Sequence, residues 1–149
     1  MSQQINVTDL DIPQLADVRR QLEEELNHLT NSFGQLKQAQ TKFKSCVENV
    51  KEVNKGNKDK PILVPLTNSL YVPGKLVDTE HVIVDIGTGY FVRKKTKEAT
   101  DHYTAKINYI QSNLDTLEET ITKKRDNMSY LVSVMQAKLS QQAGAQQQG

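Results

Sequence analysis

Few side chains in this sequence are placed as a catalytic or metal site requires. His28, His81 and His102 lie far apart along the chain, and none is spaced with carboxylates or with the single cysteine, Cys46, as zinc ligands are. We therefore interpret the histidines as solvated surface residues and expect neither a metal nor another cofactor. No pair of titratable groups is arranged as in an active site, so an enzyme is the least favoured class of protein.

A glycine motif, the cysteine and a basic run have other chemical interpretations. Gly87–Gly89 has the small residues of a phosphate loop, but it connects two predicted strands and no helix follows it, which predicts a turn. Cys46 falls on an apolar helical stripe, as a small buried hydrophobe does. The run Arg93–Lys97 would suit an acidic partner or a nuclear signal; the alternative is a solvated junction between a strand and a helix.

The composition limits the class of protein. Only 36% of the 149 residues are hydrophobic and 5% are aromatic, with no Trp, so a thick globular core is not expected. With 19 basic and 18 acidic residues, the net charge of +1 gives no field that would attract nucleic acid or an anionic membrane. The apolar runs are too short to cross a bilayer, and the first residues lack the order of a signal peptide. We expect a soluble cytoplasmic protein that binds its partners through apolar surface.

The first of three blocks has the seven-residue period of a coiled coil. Asp11 is a capping candidate and Pro13 is tolerated only in a first turn, which predicts a helix over 13–55 that ends with a left-handed cap near Gly56. Its heptad positions are Leu15, Leu22, Leu29, Leu36, Phe43 and Val50. The neighbouring positions of the same stripe are Val18, Leu26, Phe33, Ala39, Cys46, Val47 and Val53.

The last block repeats this period over 97–140. Thr96 is a capping candidate, and Glu98 suits the positive end of the helix dipole. The a positions are Ile107, Leu114, Ile121, Met128 and Met135, and the d positions are Tyr103, Ile110, Leu117 and Leu131. Beyond Leu139 the sequence consists of Gln, Ala, Ser and Gly, which predicts that 141–149 form a disordered tail.

Each apolar stripe is so narrow that each helix should have one partner, and the simplest partner is the other helix. A symmetric antiparallel pair would place Leu36 opposite Leu117 and Phe43 opposite Ile110. Glu25 and Lys124 then lie in adjacent layers, within reach of each other. We hypothesise that this pair fixes the register at a cost in stability; the alternative is two side chains that extend to water from the edge of the stripe.

The middle block, 61–93, has short runs of β-branched and aromatic residues bounded by turn formers. It predicts four strands, which are 62–66, 70–77, 81–86 and 90–93, paired as two hairpins. Pro65 and Pro73 cannot donate hydrogen bonds, so they belong at edges or bulges. The consecutive apolar residues at 62–64 and 82–84 are typical of strands that are covered on both faces.

This chain has no surplus apolar surface with which to cover those strands, because the helical stripe is already used. We therefore predict obligate assembly, in which neighbouring subunits close the strand edges into a shared β-barrel. The residues expected to mediate assembly are Ile62, Leu63, Val64, Leu66, Leu70, Tyr71, Val72, Val82, Ile83, Val84, Ile86, Tyr90, Phe91 and Val92.

The hairpin block also resembles a known family. Residues 63–76, Leu-Val-Pro-Leu-Thr-Asn-Ser-Leu-Tyr-Val-Pro-Gly-Lys-Leu, and 82–92, Val-Ile-Val-Asp-Ile-Gly-Thr-Gly-Tyr-Phe-Val, closely resemble the hairpin signature of α-type prefoldin subunits. Helix, two hairpins and helix follow in the family's order over nearly the whole chain. Arg93 stands where the family pattern suggests an acidic residue, which leaves the charge match at the rim of the platform open.

The resemblance implies a single prefoldin-type domain, mainly α with a small β part. A long antiparallel coiled coil would carry two β-hairpins that pair with other subunits in a β-barrel platform. It further implies a heterohexameric chaperone of α- and β-type subunits that uses no ATP. Such a chaperone captures unfolded actin and tubulin and passes them to the cytosolic chaperonin.

Clients would then bind where the first helix starts and the second ends. The candidate client-binding residues are Val7, Leu10, Ile12, Leu15, Val18, Met128, Leu131, Val132, Met135 and Leu139. Methionine is flexible and polarizable, which suits a surface for many apolar sequences. The alternative is that these residues only close the last heptads, which we favour for Leu15, Leu131 and Met135. A second functional hypothesis is a structural coiled-coil adaptor that binds no unfolded chain.

Overall fold

The computed structural model describes residues 6–147 as two long helices joined by two β-hairpins. The elements are α1 (Ile12–Glu52), β1 (Pro61–Pro65), β2 (Tyr71–Lys75), β3 (His81–Gly87), β4 (Tyr90–Lys95) and α2 (Thr96–Gln146). Short 3-10 turns cover Val7–Asp9 and Lys55–Asn57. The predicted fold class, mainly α with a small β part, is therefore confirmed.

The described chain divides into two compact units, and the helices run through both. One unit combines the described residues up to Leu36 with those from Asn113 onward, and the other is Lys37–Ser112. Contacts across the pair include Leu10 with Lys138 and Glu25 with Lys124 in the first unit, and Gln40 with Gln111 and Phe43 with Tyr103 in the second. In each unit the numbers fall along α2 as they rise along α1, so the pairing is antiparallel.

Side-chain hydrogen bonds define both ends of α1. At its start the Gln14 backbone N–H donates to Asp11 Oδ1 at 2.9 Å, and the Asp11 N–H donates to Gln14 Oε1 at 3.0 Å, which is a reciprocal capping box. At its end Asn57 Nδ2 donates to the Glu52 carbonyl at 2.7 Å. The left-handed residue is Asp59, with φ 63°, so the predicted left-handed cap at Gly56 is wrong. Asparagine side chains bond the last carbonyls instead.

The second helix begins directly after β4, without a linker. The Thr96 backbone N–H donates to the Glu80 carbonyl at 3.0 Å, and Glu98 Oε2 accepts from the Lys95 N–H at 3.2 Å. At the other end the helix continues to Gln146, so the prediction of a tail that is disordered from 141 is wrong for 141–146. Gln and Ala are good helix formers and extend a helix that is already nucleated. Residues 148 and 149 lie outside the described part of the chain.

The core is the row of side chains between the helices, which we call the seam. Its buried members at predicted a and d positions are Leu15, Ile110, Leu114, Ile121 and Leu131. The other predicted positions of both stripes are half-buried, Cys46 among them. Burial of about 25 cal/mol per Å² of apolar surface makes this row the main term that stabilises the pair.

The register differs by about one turn from the symmetric prediction. Glu25 and Lys124 form an ion pair directly rather than between adjacent layers, and the ring of Phe43 lies 6.0 Å from that of Tyr103. The Glu25–Lys124 contact is thus confirmed, although both side chains are partly solvated, and a solvated pair contributes little stability.

A buried amide that the heptad analysis missed lies in the seam of the second unit. Gln40 is 1% exposed, and its Nε2 donates to Gln111 Oε1 at 2.8 Å across the helix pair. Gln40 Oε1 is buried and has no hydrogen-bond partner among the described residues. Such a group costs free energy, and a polar side chain at a seam position restricts the register that the helices can adopt. Gln40 is therefore a stronger determinant of register than the solvated Glu25–Lys124 pair.

The hairpins are two separate two-stranded antiparallel sheets, β1–β2 and β3–β4. In the first, Ile62 pairs with Gly74 and Val64 with Val72. In the second, the register shifts between Asp85 and Gly87, where a bulge precedes the turn. Gly89 has φ 79°, a conformation that glycine adopts without strain, so the predicted turn at Gly87–Gly89 is confirmed. None of the described helices is long and apolar enough to span a bilayer.

Replacing Gln40 by Leu should raise the thermal stability of the folded chain. Leu fills a similar volume, removes the unpaired Oε1 and leaves Gln111 on the surface, where water can bond it, so we expect a gain of about 1 kcal/mol. Thermal unfolding followed by circular dichroism measures the change. Gln38→Leu, at an exposed position of the same helix, is the matched control. An equal rise in both variants would show that the buried amide carries no penalty.

Candidate functional site

Exposed apolar side chains cluster on the two hairpins. Of the 14 predicted assembly residues, 11 are exposed: Ile62, Leu63, Val64, Leu66, Leu70, Tyr71, Ile83, Ile86, Tyr90, Phe91 and Val92. Ile83 and Tyr90 are each 73% exposed, which is unusual for large apolar residues of a folded chain. Contiguous apolar surface of this kind marks an interaction site.

Three predicted assembly residues are placed differently. Val72 and Val82 are half-buried, and Val84 is only 1% exposed within the chain itself. Val84 is therefore a core residue, and its assignment to an assembly surface is wrong. The reason is the strand alternation of β3, which turns Val82 and Val84 inward and Ile83 outward. Sequence reasoning missed Val77, which is 68% exposed just after β2.

The first hairpin has no apolar cover within the chain. Every residue of β1 is exposed on both faces, and its ladder has one partner strand only, β2. An isolated hairpin is marginally stable in water, and its open edges are templates for further strands. Strands from another chain can pair with these open edges, and such pairing would also bury the exposed apolar side chains.

A small ionic cluster fastens the segment between the hairpins to the second hairpin. Asp78 Oδ1 accepts from the backbone N–H groups of Glu80 at 2.9 Å and His81 at 3.1 Å, and Asp78 Oδ2 accepts from Arg93 Nη2 at 2.8 Å. The Glu80 hydrogen bond, with those of Arg93 and His81, lowers the pKa of Asp78 to about 2. The positive charge of Arg93, whose match at the rim was in question, is thus paired within the chain.

The predicted client-binding residues come together in one unit, but few of them are free. Among the described members of this set, Leu139 is the one large apolar residue whose side chain is exposed, with 50% of its surface accessible. The half-buried members are Val7, Leu10, Ile12, Val18, Met128, Val132 and Met135. Leu15 and Leu131 are buried seam residues and belong to the core, as the alternative interpretation held.

A shallow surface groove lies on this unit, between α1 and α2. Its lining consists of Arg19, Glu23, Leu26, Asn27, Met128 and Val132. Leu26, Met128 and Val132 supply apolar surface, whereas Arg19 and Glu23 form an ion pair of 3.0 Å at its rim. Sequence reasoning found Met128 and Val132 and missed the α1 side of the groove, because Leu26 was assigned to the seam alone. The groove can accept an apolar side chain from an extended chain.

The residues before α1 are tied to the end of α2. The Leu10 carbonyl accepts a hydrogen bond from Lys138 Nζ, and Asn6 caps the 3-10 turn that contains Val7. Val7 and Leu10 are half-buried as a result. This contact covers part of the apolar surface that was predicted to bind clients.

The histidines and Cys46 were considered as metal ligands, and Cys46 also as a buried hydrophobe. Residues 6–147 contain no group of three or more His, Cys, Asp or Glu that could hold a metal ion. Cys46 is half-buried beside Tyr103. Burial, together with the neighbouring Cys46, raises the pKa of the Tyr103 hydroxyl.

Comparisons with known proteins agree with this architecture. Residues 22–141 match the family model of the prefoldin subunit. The chain is 39% identical over 141 residues to prefoldin subunit 5 of Homo sapiens, covering 95% of this chain and 92% of that one. It is 43% identical over 136 residues to the probable prefoldin subunit 5 of Schizosaccharomyces pombe, covering 90% and 88%. The filamentous PFD of Methanocaldococcus jannaschii, solved by cryo-EM, has the same fold, with a TM-score of 0.67 and 18% identity. The match covers 76% of this chain and 94% of that one.

The lowered pKa of Asp78 predicts a pH-dependent contribution to stability. The folded pKa lies below the ordinary value of 3.8, so the contribution is fully present above about pH 4 and is lost as the pH falls toward about 2. The melting temperature of Asp78→Asn should therefore be lower than that of the unmodified chain at neutral pH, and the difference should shrink as the pH falls from about 4 through about 2. Asp126→Asn, exposed on α2, controls for general effects of acid. A difference that is as large at pH 2 as at neutral pH would contradict the role of the Asp78 charge.

Proposed function

The chain belongs to the prefoldin family, and we propose that it is an assembly subunit of an ATP-independent chaperone that holds unfolded proteins. It acts by binding alone, without catalysis and without a cofactor. The observation that carries the assembly part is the set of large apolar side chains left exposed on β1 to β4. Fully burying one such side chain gains about 1.5 to 3 kcal/mol. The free energy gained by burying the whole set is therefore comparable to the free energy of unfolding of a domain.

The sister chains in this proposal are other α- and β-type prefoldin subunits in a heterohexamer. Each hairpin has free strand edges, and the two sheets are separate. Strands from neighbouring subunits would pair with these edges and close a barrel, which removes the edges altogether. The bulge between Asp85 and Gly87 supports closure, because bulges bend strands at the rims of barrels.

The clients in this proposal are unfolded actin and tubulin, which the complex would deliver to the cytosolic chaperonin in the cytoplasm. Support comes from the apolar groove between Leu26, Met128 and Val132 and from the exposed Leu139. The flexible side chain of Met128 and the shallowness of the groove suit a surface that binds unfolded chains of many different sequences. The chain would not act on nucleic acid or membranes, since its charges nearly balance.

One observation favours a second candidate, a structural adaptor that binds no unfolded chain. Apart from Leu139, the predicted client-binding residues are buried or half-buried, so most of their apolar surface already stabilises the helix pair. A surface used for packing is not free for a client. The two candidates share the assembly step and differ only in what the helix ends do.

Ile83→Lys should abolish assembly with sister subunits. Ile83 is 73% exposed on β3, and a lysine ammonium there would be buried without a partner in any interface that covers the strand. Native mass spectrometry of the chain mixed with its sister subunits measures the complex. Tyr109→Lys, at a side chain 68% exposed on α2, is the matched control and should assemble normally. Assembly that is equally efficient in both variants would contradict the proposal.

The double variant Val132→Ser, Leu139→Ser should weaken client capture and leave assembly intact. Losing about 1 kcal/mol of contact at each of the two positions, about 2 kcal/mol together, corresponds to a reduction in affinity of roughly thirtyfold. The measurement is suppression of aggregation of denatured actin by the assembled complex without ATP. Tyr130→Ser, at an exposed position of the same helix, is the control. Capture that is unchanged by the double variant would favour the adaptor.

A further inference from the structure

Each hairpin is chemically divided along its length. At the closed ends, next to the turns, the exposed side chains are apolar, with Leu66 and Leu70 in the first hairpin and Ile86 and Tyr90 in the second. At the open ends basic side chains predominate, although Val77, Asp59 and Glu80 are exposed there as well. Six exposed lysines occupy the open ends and the adjoining segments, and we call them the basic collar: Lys55, Lys58, Lys60, Lys75, Lys95 and Lys97.

Backbone hydrogen bonds hold this collar in place. The Leu76 N–H donates to the Lys60 carbonyl at 3.2 Å, which closes the open end of the first hairpin beside Lys75. In the second hairpin His81 pairs with Lys95 at the open end. The lysines are therefore presented by paired strands and helix ends rather than by loose loops.

Two adjoining surface grooves bring lysines from different segments together. One is lined by Lys55, Lys95 and Lys97, and the other by Lys55 and Lys58. Both include Thr79 and Glu80 from the segment between the hairpins. Lys55 is thus common to both, so Lys55, Lys58, Lys95 and Lys97 of the collar line adjoining grooves in the unit Lys37–Ser112.

Nearby carboxylates offset the positive charge of the collar only in part: Asp59 lies between Lys58 and Lys60, and Glu98 follows Lys97. Among the described residues, none of the six lysines forms an ion pair. The carboxylates that line the grooves are Asp78 and Glu80, and Asp78 is already paired with Arg93. Several like charges around a groove create a potential that attracts the opposite charge.

We propose that the basic collar docks an extended acidic segment of a partner polypeptide, rich in Asp and Glu. This inference goes beyond the capture of unfolded chains, because it concerns recognition of charge at the open ends of the hairpins. The cost of burying unpaired ammonium groups keeps the open ends out of an apolar interface, so the collar stays accessible after assembly. A polypeptide fits better than a nucleic acid, because the exposed rings of Tyr90 and Phe91, which could stack on bases, lie at the closed end.

The test uses the assembled complex and a fluorescent peptide of ten glutamates, with binding followed by fluorescence anisotropy. Peptides of ten glutamines and an oligothymidine of equal length are the reference ligands. We expect binding of the glutamate peptide that weakens steeply as salt rises, and little binding of the glutamine peptide. No binding of the glutamate peptide at low salt, or tighter binding of the oligothymidine, would overturn the proposal.

The variant Lys55→Gln, Lys58→Gln, Lys95→Gln, Lys97→Gln should weaken peptide binding at least about tenfold. The control removes the same number of exposed charges from the helices, as Lys37→Gln, Lys42→Gln, Lys44→Gln, Lys106→Gln, and should change binding by less than about twofold. Native mass spectrometry verifies that both variants assemble, and the double variant Lys55→Gln, Lys97→Gln replaces the fourfold one if that fails to assemble. Equal losses in the collar variant and the control would show that binding reports net charge alone.

Discussion

The organisation of this chain depends on a mismatch between the apolar surface of its strands and the cover that its helices provide. The seam uses the apolar face of each helix for the other helix, so nothing remains to cover β1 to β4 apart from the inward face that buries Val84. A two-stranded sheet with apolar side chains on its outer surface reaches low free energy only when other strands complete it. The incompleteness of the hairpins is therefore the property that makes the chain a subunit.

The seam also limits how much apolar surface the helix ends have free to bind another protein. Leu15 and Leu131 are buried in the seam, and the Lys138 contact draws Leu10 against the end of α2. A side chain that stabilises the helix pair contributes to client binding only by leaving its place. The groove beside Met128 and Val132 avoids this conflict, since it lies on the flank of the pair and uses surface that the seam leaves over.

Much of the fold follows from local patterns, whereas the remainder depends on contacts between distant residues. The heptads predicted the seam because burial of Leu114 and Ile121 follows from their period, and turn formers predicted both hairpins. The buried place of Gln40 could not be read from its polarity, since it depends on the register and on Gln111 across the pair. Val84 likewise appeared equivalent to Ile83 in the sequence, and only the tertiary packing distinguishes the inward residue. For the candidate site, the sequence predicted most of the exposed apolar residues of the hairpins, while the α1 side of the groove and Val77 were missed.

The two hairpins are attached to the helices by unequal joints. Residues 53–60 separate α1 from the first hairpin, whereas β4 passes into α2 at Lys95 and Thr96 with nothing in between. The direction of β4 is consequently shared with the start of α2, whereas the first hairpin is joined to α1 by a separate segment that is held by its own hydrogen bonds, such as that from the Asp59 N–H to the Leu76 carbonyl at 2.7 Å. Any change in the direction of β4 therefore requires a change at the beginning of α2, whereas the first hairpin can be reoriented by changes confined to 53–60.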